Sequence, residues 1–314
     1  MIRDRPLVFA HRGGADALPE HTLAAYLRAL DEGADGVECD VRLTRDGHLV
    51  CVHDRRLNRT SNGTGLVSAK TLAELDALDF GSWHPAAAVG SLAEGAQTDE
   101  PRVPELTKLL TLDRLLGALR DHGRPVRLLI ETKHPTRYGA DVERRLVEML
   151  RKHDLAEPRP DDPVRVTVMS FAALALRRIR ALAPGIPTVY LLEILPPGVG
   201  GGRLPFGARI AGPGVSLIRA RPTLVSNLRA AGQQTFVWTV NDEPDLDLVL
   251  AQGVNGIITD RPKFVLDRLA KALPGVTPDT PNPVSDKIDT NRSAQIAVSE
   301  ADSQTCRNDP TTPR

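Results

Sequence analysis

The chain has no run of about 20 apolar residues, no excess of either charge and only three cysteines. The first absence leaves nothing long enough to cross a bilayer as a helix. An apolar leader core is also missing, because the first apolar run starts near Leu7, so no secretory signal is expected. Forty basic residues balance forty acidic ones. That balance removes the broad positive field that nucleic acid or an anionic membrane surface would require, and it confines anion recognition to a local site. Cys39, Cys51 and Cys306 are too few and too irregularly spaced for a disulfide framework or a Cys-rich zinc site. The expectation is a cytoplasmic protein acting on a small molecule, without nucleic acid or stable membrane insertion. N-x-T patterns at Asn58 and Asn62 carry no weight without a signal.

What is present is a repeating alternation. At 314 residues the chain can hold one α/β barrel, which needs about 250 residues. Short runs rich in Val, Ile and Leu predict strands near 7–11, 36–43, 49–53, 126–133, 164–170, 187–192, 214–218, 235–241 and 256–259. Amphipathic stretches such as "HTLAAYLRALDEG" and "VERRLVEMLRKHD" lie between many of them. Strands alternating with helices predict a parallel sheet. Nine strands are one too many for a (β/α)8 TIM barrel. However, "RDGH" between the second and third runs offers only Asp46-Gly47 as a two-residue turn. A parallel crossover needs about a dozen residues, so these runs form an antiparallel hairpin and eight barrel strands remain.

Three regions depart from the pattern. Residues 54–108 hold one short helix and much loop, and read as a capping insertion whose second half, "AAAVGSLAEGAQTDEPRV", is expected to be mobile. The Gly-rich segment 196–214 replaces a helix and is expected to be a weakly ordered loop. Residues 273–314 are rich in Pro, Thr, Ser, Asn and Asp and are expected to be a disordered tail. The barrel unit is therefore 5–272.

Alternate residues of a strand face one side, so Glu38 and Asp40 in "VECDV" project together. If Asp46 and Gly47 form the turn, Arg45 pairs with His48 and His53 falls opposite Asp40. Glu131 and Lys133 end another strand together, and His11 and Arg12 end the first. Barrel strands deliver catalytic groups at their C-terminal ends; Ser170, Trp238, Asn241, Thr259 and Asp260 follow the same rule. Taken singly, each feature reads as a solvated strand end, a surface ion pair or, for Trp238, core. Their convergence at one mouth is what points to chemistry. His21 and His84 border the mouth at most, as a helix-start and an insertion residue, and His48, His122 and His153 read as solvated. Three carboxylates suit Mg2+ or Ca2+. Beside such an ion, Arg12 and Lys133 can neutralise a phosphate, and two imidazoles can serve as base and acid. The resulting chemistry is metal-assisted phosphodiester cleavage.

The motifs "HRGG", "LPEHT", "EGADGVECDVRLTRDGHLVCVHD", "LNRTSNGTGLV" and "TLAELDALDFGSWH", then "ETKHP", "MSF", "VWTVN" and "GVNGIITDRP", resemble the glycerophosphodiester phosphodiesterase family over roughly residues 7–270. The resemblance implies hydrolysis of diesters such as glycerophosphocholine to sn-glycerol 3-phosphate and an alcohol. It implies His11 and His53 as the acid-base pair, with His11 as base and His53 as leaving-group acid or the reverse. Glu38, Asp40 and Glu131 become metal ligands and Arg12 and Lys133 phosphate contacts. Glu20 would hold the surroundings of the ion or its water. His21 stands where relatives carry Asn, and the Gly-rich loop is unlike a compact member. Two alternatives stay open: a related barrel phosphodiesterase acting on lysophospholipids or phosphoinositides, and a non-catalytic binding barrel.

Overall fold

The computed structural model describes residues 5–86 and 106–272. Among the described residues nine strands form: β1 (Leu7–His11), β2 (Gly36–Leu43), β3 (Leu49–Cys51), β4 (Val126–Thr132), β5 (Val164–Ser170), β6 (Thr188–Leu192), β7 (Ile210–Pro213), β8 (Gln234–Val237) and β9 (Gly256–Thr259). All except β3 are parallel and run β1-β2-β4-β5-β6-β7-β8-β9, with β9 pairing back onto β1 to close an eight-stranded barrel. Helices α1 (Leu23–Asp31), α2 (Leu72–Asp76), α3 (Leu112–Arg120), α4 (Asp141–Lys152), α5 (Ala173–Leu182), α6 (Val215–Ala220), α7 (Leu224–Ala230), α8 (Glu243–Gln252) and α9 (Pro262–Ala272) complete the described elements. No helix among the described residues is long and apolar enough to cross a membrane.

Two-residue periodicity decides which side chains meet in the barrel. Val37, Cys39 and Val41 of β2, with Leu128 and Ile130 of β4, pack outward against Leu112, Leu115, Leu116 and Leu146 from the surrounding helices. Their neighbours Glu38, Asp40 and Glu131 must therefore face the interior. On the far side, Val237 and Ile257 pack with Leu246 and Val249 of α8. Gly36 of β2 pairs with Arg127 of β4, and a β-carbon there would lie 2.2 Å from the Arg127 carbonyl oxygen. Gly36→Ala is expected to push these strands apart and lower stability by about 2 kcal/mol, read as a lower urea midpoint.

Several expectations need correction. The hairpin turn has three residues rather than two: Gly47 adopts φ 84°, and the Thr44 and His48 backbones pair around Arg45-Asp46-Gly47. This is the geometry of a type I turn followed by a left-handed residue. The register shifts by one, with Val41 opposite Cys51, so Val52 rather than His53 meets Asp40. The sixth barrel strand, β7, is Ile210–Pro213, inside the segment expected to be loop, and the expected strand 214–218 begins α6. Proline ends the strand "RIAGP", and the apolar "VSLI" that follows is helical. The Gly-rich segment does lack an α-helix. It is nonetheless anchored, by two 3-10 turns and by hydrogen bonds from Asn227 to Gly200 and from Arg180 to Gly207.

The described part of the insertion builds a small core of its own, Leu57, Val67, Leu75, Phe80 and Leu109 on Val50 and Val52. Thr71 and Glu74 form a reciprocal cap on α2. The expectations of mobility for 86–103 and disorder for 273–314 lie outside the described residues, apart from Ala86.

Candidate active site

Immediately after β1 the chain takes three left-handed residues in succession, Arg12 at φ 52°, Gly13 at 89° and Gly14 at 85°. Two glycines make that turn accessible. It directs the Arg12 backbone N–H onto Glu38 Oε2 at 3.1 Å and the side chain back over the mouth, with Nη1 3.2 Å from Glu20 Oε1 and Nε 3.3 Å from Asp40 Oδ2. From β4, Lys133 Nζ lies 2.8 Å from Glu131 Oε1 and 3.2 Å from Asp40 Oδ1. One oxygen from each of Glu38, Asp40 and Glu131 falls within 4.8 Å of the other two, and all three residues are buried.

Three buried carboxylates cannot all remain ionised at ordinary pH with only these two cations beside them. Burial, reinforced by Asp40 and Glu131, drives Glu38 well above the usual carboxylate range. Burial and Asp40 push Glu131 up to about 8 against the pull of Lys133. Burial would raise Asp40 too, but Lys133, His21 and Arg12 outweigh it and keep Asp40 well below its ordinary value. Arg12 and Lys133 stay charged because Asp40 and its neighbours more than offset the cost of their burial. An all-oxygen donor set with excess negative charge suits a hard divalent cation, so these residues form a possible acidic metal-binding triad.

Each of the two expected histidines is held by a carboxylate. His11 Nδ1 lies 2.7 Å from Asp260 Oδ1, and Asp260 is fixed in turn by Asn241, whose amide donates to Oδ2 at 2.6 Å and whose carbonyl accepts the Asp260 N–H. His53 Nδ1 lies 2.7 Å from Asp54 Oδ1. In both pairs the ionised acid accepts a hydrogen bond from Nδ1–H, which leaves Nε2 as the nitrogen able to exchange a proton. His53 is pushed down to about 4 by burial and by Arg12 and Lys133, against the opposite pull of Asp40 and Asp54. The influence of Asp40, Arg12 and Lys133 on His53 places it close to the mouth despite the shifted register, one residue beyond the Val52 N–H that donates to the Asp40 carbonyl.

The remaining expected residues take distinct positions. Glu20 is buried, with both oxygens committed to Arg59 and one to Arg12. Trp238 donates from Nε1 to the Gly212 carbonyl at 2.6 Å and meets Phe171 edge-on at 5.4 Å, so it spans from the end of β8 toward the end of β5. Sequence reasoning underrated His21. It is buried, its Nε2–H donates to Asp40 Oδ2 at 3.0 Å, and Nδ1 accepts from the Tyr26 hydroxyl at 2.7 Å. His122 and His153 are not solvated either, since each pairs with an aspartate, Asp31 and Asp113. Asp54 and Arg59 were missed altogether. The only signal for Asp54 was its place beside His53, and nothing local marks Arg59.

The profile of the Glycerophosphoryl diester phosphodiesterase family matches residues 11–264. The "Probable glycerophosphodiester phosphodiesterase 1" of Mycobacterium tuberculosis is 46% identical over 262 residues, covering 83% of this chain and 92% of that protein. A glycerophosphodiester phosphodiesterase of Bacillus subtilis is 33% identical over 261 residues, covering 82% and 85%. Among solved structures, an Oleispira antarctica phosphodiesterase in complex with the product sn-glycerol-3-phosphate superposes with a TM-score of 0.71 at 28% identity, covering 84% of this chain and 96% of that one. Barrel, mouth and relatives together define a phosphoric diester hydrolase. The chain belongs to the glycerophosphodiester phosphodiesterase family.

Proposed function

We propose that this enzyme hydrolyses glycerophosphodiesters such as glycerophosphocholine and glycerophosphoethanolamine to sn-glycerol 3-phosphate and an alcohol, with Mg2+ or Ca2+ held by Glu38, Asp40 and Glu131. The observation that carries this reading is the pair of carboxylate-held imidazoles at the mouth of the acidic triad, with Arg12 and Lys133 charged beside it. The cation would neutralise charge accumulating on the phosphate oxygens. Arg12 and Lys133 contact the same oxygens, and Glu20 acts through Arg12 rather than on the substrate. His53, neutral at ordinary pH, takes the proton of the attacking hydroxyl at Nε2. His11, oriented through Nδ1 by Asp260, gives the leaving alcohol a proton carried on Nε2, and the proton taken up by His53 is released to solvent after the step. This assignment is the reverse of His11 as base and His53 as acid, because an imidazole lowered to about 4 starts the cycle as a base. Phosphorus NMR of the reaction distinguishes direct attack by water from a cyclic phosphate formed by the glycerol hydroxyl.

Trp238 serves as an aromatic plate for the organic part of the substrate, fixed by Gly212 and Phe171. Trp238→Ala is expected to raise KM about tenfold with kcat changed less than about threefold, the pattern of lost uniform binding. A lysophospholipid substrate draws support from the exposed Phe171, Leu174 and Ile194, which follow the C-terminal ends of β5 and β6. We read residues 5–272 as one catalytic unit capped by 54–108, and the cytoplasm as its compartment because Cys39 and Cys51 are buried and free.

The deciding assay supplies the purified protein with Mg2+ or Ca2+ and measures glycerol 3-phosphate release from a panel of glycerophosphodiesters, with lysophosphatidylcholine alongside. No release from any glycerophosphodiester would overturn the reading.

A further inference from the structure

One side chain of the insertion touches two separate parts of the mouth. Arg59 forks onto Glu20, with Nη1 2.7 Å from Oε2 and Nη2 2.8 Å from Oε1. It forks again onto Asp54, with Nε 2.8 Å from Oδ2 and Nη2 3.2 Å from Oδ1. Three guanidinium nitrogens thereby meet all four oxygens of two acids. Asp54 passes this constraint to His53 through the 2.7 Å contact at Nδ1, and Glu20 passes it to Arg12 at 3.2 Å.

The Arg59 side chain is 44% exposed, and ion pairs at such exposure contribute little to stability. Orientation is a different matter. Asp54 is itself partly exposed and adjacent to His53 in the chain, so alone it could turn to water. With Arg59 on both of its oxygens, Asp54 keeps Oδ1 turned to accept the hydrogen bond from His53 Nδ1–H. A planar fork can hold two carboxylates in this way, whereas an ammonium has no fixed plane.

We propose that Arg59 is a positioning residue for the reaction, acting on His53 through Asp54 and so making the insertion part of the catalytic apparatus. The inference rests on His53 being a proton-transfer group. Arg59 also bears electrostatically on Asp54 and Arg12, so a loss on removing it combines charge with orientation, and Arg59→Lys, which keeps the charge without the fork, separates the two.

The test is a double-mutant cycle on the cation-loaded enzyme, comparing the wild type, Arg59→Ala, His53→Ala and the double variant with glycerophosphocholine. Arg59→Ala is expected to lower kcat by about 10–100-fold in the wild-type background and by less than about twofold where His53 is already gone. Arg59→Lys is expected to recover part of the loss, because it restores the charge without the fork. An equal loss in both backgrounds overturns the inference and leaves the reading of His53 intact. Wild-type turnover by His53→Ala overturns that reading instead. Thermal melting of each variant monitors folding, and if Arg59→Ala does not fold, Arg59→Lys and Arg59→Gln enter the same cycle with the same deciding comparison.

Discussion

Alanine in place of His11 or His53 is expected to lower kcat for glycerophosphocholine by about 10²–10⁴-fold, the usual contribution of a positioned acid or base. Both side chains are partly exposed and, among the described residues, hydrogen-bonded at Nδ1, so the barrel is expected to survive either change, with its melting temperature nearly unaltered. The two losses should differ with the leaving group. A p-nitrophenyl diester releases a phenolate that needs no proton, so His11→Ala is expected to recover most of its turnover on that substrate. His53→Ala is not, because attack still requires a base. Identical losses on both substrates would remove the division of labour, and full activity of either variant on glycerophosphocholine would remove the mechanism.

Cation binding is expected to reverse a pH-dependent weakness of the protein. In its absence Glu131 titrates at about 8 in the folded chain against an ordinary value of 4.5. The folded state therefore holds a proton that the unfolded state has released, and stability falls as pH rises from about 4.5 to about 8. His53 runs the other way: its folded value of about 4 lies below the ordinary 6.5, so its contribution rises with pH and is complete above about 6.5. Between about 6.5 and 8 the carboxylates stand alone, and the melting temperature of cation-free protein is expected to decline across that interval. Mg2+ or Ca2+ at 100 times its Kd should add about 2.7 kcal/mol, or roughly 5–10 °C for a barrel of this size. The gain should grow toward pH 8 because binding releases the proton. Glu131→Gln is expected to flatten the slope and abolish the cation response. A cation response that persists undiminished in Glu131→Gln would exclude Glu131 from the metal site.

The barrel was legible because each strand repeats one instruction, apolar residues bounded by breakers and followed by an amphipathic stretch. The reading failed where that instruction was ambiguous. "RIAGP" and "VSLI" are both short and apolar, and only the proline and the pairing of Ile210 with Gln234 make the first the strand. The hairpin slipped by one residue because "RDGH" is compatible with a two- or a three-residue loop; a two-residue type I′ turn needs both Asp46 and Gly47 at positive φ, and of the two Gly47 alone adopts it.

Strand alternation is enough to put Glu38 and Asp40 on one face, to end a strand with Glu131 and Lys133, and to end the first with His11 and Arg12. These follow from the two-residue period of a strand, a purely local property. Tertiary structure alone decided the partners: Asp260 for His11, Asp54 for His53, His21 for Asp40, and Arg59 for Glu20 and Asp54. Most of these contacts join residues far apart in the chain, and even the adjacent His53-Asp54 pair depends on how the chain leaves β3. Such pairings depend on where barrel closure and the path of the insertion bring side chains in space, which no local period encodes.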